Sequence, residues 1–197
     1  MKNCTFLFFV IFFLASCSSN EKKILVMSRG IATIDKDAKT ITATSQGNNH
    51  EEQTIAFNTS DKISLHIKSQ AGEGTIDIPE NGYYVLNAKN DTIVGSYQKY
   101  STPEEANRMI TQEELKRDID SLQQLIQNKN VSAANRNFFL PPNSAAKISD
   151  NTDAFVVGPF HQMTSIAKEG DKEPEVYRFY NIGEIRATIE KLQKLTH

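Results

Sequence analysis

Ile63-Ser64-Leu65-His66-Ile67-Lys68 sets the character of this chain, because apolar side chains at 63, 65 and 67 alternate strictly with polar ones. A period of two puts the three apolar groups on one face of a β-strand. Ala71-Gly72-Glu73-Gly74 breaks the strand, and Thr75-Ile76-Asp77-Ile78 resumes the alternation before Pro79. Upstream, Ile31-Ala32-Thr33-Ile34 and Thr40-Ile41-Thr42-Ala43 flank the polar connection Asp35 to Lys39, which reads as a hairpin. Gln46 to Glu52 reads as a loop and Thr54-Ile55-Ala56-Phe57 as a brief strand. Downstream, Tyr83-Tyr84-Val85-Leu86 and Thr92 to Tyr97 lie on either side of Lys89-Asn90-Asp91, which reads as a second hairpin. Residues 24–100 are therefore expected to form a small antiparallel β-sandwich or open barrel.

A helix is expected next. Thr102-Pro103-Glu104-Glu105 places Thr at the N-cap, Pro at the first helical position and Glu at the third. Leu115, Ile119, Leu122 and Ile126 follow at helical spacing and make one apolar stripe, with Met109 and Ile110 a turn or two earlier. The stripe reads as a face packed on the body; a coiled-coil spacer is the competing reading, with barely two heptads to support it. Residues 131–153 form a Pro/Asn-rich connection in which Phe138-Phe139-Leu140 is an apolar triplet that docks on the body. Residues 154–197 read strand, strand, helix, and Asn181 caps the last helix with Glu184 three residues on. The expected class is thus α+β: a β domain at 24–100, a long amphipathic helix at 101–130, and a C-terminal strand-strand-helix portion.

The N-terminus carries an address. Lys2 precedes the apolar run Phe6 to Leu14, and Leu14-Ala15-Ser16-Cys17 closes it. A charged start, a short apolar run and small residues at the exit make a secretory signal peptide. Nine apolar residues are too few to span a bilayer, which needs about 20. The spelling Leu-Ala-Ser-Cys resembles the lipobox of bacterial lipoproteins. That resemblance implies cleavage before Cys17 and a diacylglycerol thioether on its sulfur, usually followed by N-acylation. On this reading, 1–16 is a signal peptide and 17–23 a lipidated tether. The expected place is the bacterial cell envelope, at the outer membrane or periplasmic face, with no leaflet assigned. The covalent lipid, palmitate among its acyl chains, is the only cofactor-like group expected.

Composition narrows the chemistry. Removing residues 1–16 leaves 21 basic and 24 acidic side chains, a formal net charge of −3, with no run of five like charges. No nucleic-acid partner is expected; the membrane is expected to be reached through the lipid. Cys4 leaves with the signal peptide and Cys17 is consumed by the anchor, so cysteine-ligated zinc and thiol chemistry are excluded.

Ser144-Ala145-Ala146-Lys147 followed by Ser149-Asp150-Asn151 looks like two motifs of the serine β-lactamases and penicillin-binding proteins. The motifs nearly touch, no Lys-Thr-Gly follows, and Ser-x-x-Lys occurs four times in the chain. No catalytic residue is expected there. His50, His66, His161 and His197 share no spacing that aims two imidazoles at one ion, so no metal site is expected; His161, after Gly158-Pro159-Phe160, is the one worth testing. The lead expectation is a non-catalytic envelope protein that contacts another envelope protein or a glycan. Tyr83, Tyr84, Phe138, Phe139, Tyr177 and Tyr180 are its candidate contact surface. The alternative is a hydrolase acting on cell wall or glycan around His161.

Overall fold

Strand β1 (Glu21–Arg29) and strand β7 (Gly82–Asn87) form the spine of the protein, paired in parallel and buried on both faces. Their sequences, Ile24-Leu25-Val26-Met27 and Tyr83-Tyr84-Val85-Leu86, are unbroken apolar runs, as two-sided burial requires. The computed structural model describes residues 20–44, 49–99, 110–162 and 173–196. The signal peptide, Cys17 and the expected helix start at Thr102 to Glu105 lie outside these.

Among the described residues, twelve strands make three four-stranded sheets, each with one parallel pair. The central sheet runs β10 (Ser144–Ser149), β7, β1, β4 (His50–Asn58). An outer sheet on one side contains β2 (Thr33–Asp35), β3 (Thr40–Ala43), β5 (Ile63–Ser69) and β6 (Gly72–Ile78). The sheet on the other side runs β11 (Phe155–Val157), β12 (Val176–Asn181), β8 (Ile93–Gln98), β9 (Asn137–Leu140). Helices α1 (Gln112–Ile126) and α2 (Ile182–Gln193) cover the far face of that third sheet.

Side-chain alternation stacks these layers. Ile24, Val26, Tyr84 and Leu86 of the central sheet meet Ile41, Leu65, Ile67 and Ile78 of the first outer sheet. Leu25, Met27, Tyr83 and Val85 point the other way and meet Ile93, Phe138, Tyr177 and Phe179. Val94 and Phe139, on the reverse of the third sheet, pack with Leu115, Ile119, Ile185 and Ile189 of the helices. Close approach in the second core needs glycine at 95, where a Cβ would fall 2.4 Å from the Phe179 ring.

The expected α+β arrangement is corrected by this architecture, which is mostly β. No separate antiparallel sandwich exists: all three sheets are mixed, and β10 from late in the chain completes the central one. Tyr83–Leu86 and Ile93–Tyr97 do not form a hairpin, because β7 and β8 belong to different sheets. Asn87 turns the chain between them, its Nδ2 donating to the carbonyls of Asp91 and Leu140. Phe138-Phe139-Leu140, read as a docked triplet, is edge strand β9. No long amphipathic helix occurs among the described residues: α1 is 15 residues, capped by Thr111 and Glu114. Its stripe packs inside the third core, against α2, β9 and Val94. The β2–β3 hairpin and the Asn181–Glu184 cap fall where the sequence puts them; β5 and β6 also pair, but β6 begins at Gly72, so Gly72 to Gly74, expected as a break, are strand.

Candidate functional site

His50 and Glu52 stand two residues apart on β4, so their side chains share one face. They pair with Arg29 and Met27 of β1, which puts that face toward the third sheet. Beyond the end of β11, the turn Gly158-Pro159-Phe160-His161 comes down on the same spot. His50 Nε2 lies 2.8 Å from Glu52 Oε1, and His161 Nδ1 lies 3.3 Å from the same oxygen. These three donor atoms all fall within 4.8 Å of one another. The His50 side chain is 6% exposed, Glu52 21% and His161 57%, so the cluster is anchored inside and open at its rim.

Three features hold the rim in place. A Cβ at residue 158 would sit 1.7 Å from Glu52 Oε1, so glycine there is what lets the turn pass over the carboxylate. Phe160 has φ of 67°, a left-handed backbone that an aromatic residue adopts at a cost. Its amide donates to Glu184 Oε1 at 2.7 Å, while Glu184 Oε2 accepts from the Asn181 amide at 2.9 Å. One carboxylate thus closes the capping box of α2 and fastens the turn that carries His161.

A cavity of about 280 Å³ adjoins the cluster, lined by Arg29, His50, Lys89, Asp91, Phe160 and Asn181. Lys89 is buried with its ammonium 3.5 Å from Asp91 and 5.8 Å from the Phe160 ring centroid. Burial draws its pKa down, and the Asp91 charge opposes that. The Tyr83 hydroxyl is pushed up to about 12, by burial first and the Glu52 charge second. The Nδ1 of His50 is buried without a hydrogen-bond partner among the described residues.

A second cleft, about 530 Å³, opens beside β10 and is lined by Lys147 and Ser149-Asp150-Asn151 of the string that resembles β-lactamase motifs, without Ser144. Ser144 and Lys147 are three residues apart on a strand, which sends their side chains to opposite faces. Ser144 Oγ donates to the Pro141 carbonyl, and Lys147 pairs with Glu80 and Asp150. Ser149 and Tyr177 both donate to Glu175, so this cleft is a closed structural network. The Tyr177 hydroxyl is held well above its ordinary pKa by burial and by donating to that carboxylate.

The expected contact surface is corrected by burial. Tyr83, Tyr84, Phe138 and Tyr177 are all 5% exposed or less, and Phe139 and Tyr180 pack partly against the third core. They are large because they fill gaps between layers. The histidine spacing that separates His50 from His161 along the chain does not separate them in space: both converge on Glu52. His66 stays apart, its Nδ1 3.1 Å from Thr75 Oγ1 on the outer sheet. Sequence reasoning missed Glu52 because residues 46–52 carry no apolar period, and a strand beginning at His50 gives no such signal. The chain matches no protein-family model, no curated protein and no solved structure.

Proposed function

We propose that the protein is a lipid-anchored component of the bacterial cell envelope with a non-catalytic binding role. The observation that carries this reading is Leu14-Ala15-Ser16-Cys17 at the end of a short apolar run. Among the described residues no helix is long and apolar enough to cross a membrane. Attachment on this reading rests on the acyl chains at Cys17, and the expected tether is shorter than 17–23 because β1 begins at Glu21 with Lys22 buried. The partner class is another envelope protein or a glycan.

Metabolic labelling with an alkyne fatty acid tests the anchor. The wild-type chain takes the label and fractionates with membranes; Cys17→Ala takes none and leaves the membrane fraction. Equal labelling of the two forms would overturn the reading. Capture of partners uses the whole chain, because deletion from Asn135 onward removes β9 to β12 and so strands from two sheets.

A hydrolase centred on His161 is the second reading, favoured by its convergence with His50 and Glu52. One carboxylate and two imidazoles meet there, whereas glycoside hydrolysis ordinarily uses a pair of carboxylates.

A further inference from the structure

We propose that His50 Nε2, Glu52 Oε1 and His161 Nδ1 form a binding site for a divalent first-row transition ion of the zinc class. Two imidazole nitrogens and one carboxylate oxygen are a donor set that suits zinc and its neighbours, and magnesium or calcium prefer oxygen alone. Ligands held about 2.0–2.1 Å from a tetrahedral ion stand roughly 3.3 Å from one another. His161 Nδ1 and Glu52 Oε1 already have that separation, at 3.3 Å. His50 Nε2 and Glu52 Oε1, at 2.8 Å, need to open by about half an ångström. The third pair lies within 4.8 Å and needs to close by at most about 1.5 Å for tetrahedral ligation.

A plain histidine–glutamate hydrogen bond is the competing account, and it does not explain the whole arrangement. Such a pair needs one imidazole, yet two rings with centroids 5.7 Å apart crowd a single carboxylate oxygen. The turn that brings the second ring carries an aromatic residue at positive φ and passes the carboxylate only because residue 158 is glycine. Strain held in place by a hydrogen bond that the Phe160 amide donates to the Glu184 carboxylate is what a positioned ligand demands. Three protein donors leave a fourth position open at the exposed rim, beside the cavity lined by Lys89 and Phe160. His50 Nδ1 has no hydrogen-bond partner among the described residues, so the three donor atoms set the affinity without a hydrogen bond that steadies the His50 ring from behind. The inference stands whether or not Cys17 is acylated.

Zinc titration of the full chain, made without an affinity tag and in competition with a chromogenic zinc chelator, tests the site. Wild type is expected to take one equivalent and to gain thermal stability with zinc, as any ligand specific for the folded state confers. His161→Ala alters an exposed side chain, and its zinc affinity is expected to drop by about tenfold or more with unchanged circular dichroism. Glu52→Gln keeps the shape and is expected to lose affinity likewise. His66→Ala, on the outer sheet, binds as wild type does. Failure of wild type to take one equivalent, or His161→Ala and Glu52→Gln binding as tightly as wild type, would overturn the proposal.

Discussion

Gly158 shows how much of the site depends on one absent methyl group. A Cβ there would meet the Glu52 carboxylate at 1.7 Å and His50 Nε2 at 3.1 Å. The carboxylate is the end of a flexible side chain, so Gly158→Ala is expected to displace it without unfolding the protein. The predicted outcome is a loss of zinc affinity of about tenfold or more with only a small shift in melting temperature. The chelator competition and a thermal melt check both halves. At this scale the sequence was only partly legible. His161 stood out because it follows Gly-Pro-Phe, and Glu52 did not, since His50-Glu51-Glu52-Gln53 has no apolar residue to betray a strand. The second imidazole was hidden by distance along the chain, which only the pairing of β1 with β4 and the turn after β11 removes.

At the scale of elements, capping chemistry is the most readable signal, and a site now depends on it. Asn181 Oδ1 accepts from the Glu184 amide at 2.8 Å, and Glu184 answers with bonds to the Asn181 and Phe160 amides. Asn181→Ala is expected to cost about 1 kcal/mol, read as a lower urea midpoint at unchanged slope. The β5–β6 hairpin was legible for a similar local reason, since alternation and a Gly-containing turn both sit inside one short segment. Strands β9 and β10 were not, because Asn and Pro residues flank them and only sheet partners from the first half of the chain make them strands. The cap spelled by Thr102-Pro103-Glu104-Glu105 lies outside the described residues, and the helix described here begins after Thr111, whose box with Glu114 is spelled in the sequence as well.

For the whole molecule, the central sheet is decisive. The runs Ile24-Leu25-Val26-Met27 and Tyr83-Tyr84-Val85-Leu86 are apolar without alternation because both faces of the sheet are covered. A two-sheet sandwich covers each strand on one face only and has no place for them, so the expected small sandwich gives way to three stacked sheets. The tyrosines that fill the layers also predict the alkaline limit of the fold. Burial is the leading cause that raises Tyr83, Tyr84, Tyr177 and Tyr180 above the ordinary value of 10.0, Tyr83 to about 12. A raised folded-state pKa means that the fold favours the protonated hydroxyl, so this stability is complete below pH 10 and is lost as pH climbs toward 12. Denaturant midpoints are expected to be level from neutrality to about pH 9 and to fall above pH 10. Tyr83→Phe should make that fall shallower; an identical slope would show that Tyr83 does not titrate with unfolding.

The layers, the turn and the cap meet in the claim that this body holds a metal ion, and X-ray absorption at the zinc edge of the one-equivalent complex tests it most directly. Two imidazoles with an oxygen-containing shell are predicted, at about 2.0–2.1 Å, together with the outer-shell scattering that imidazole rings produce. His161→Ala should lose one ring's share of it. A shell of oxygens alone, with no imidazole scattering, would contradict the account.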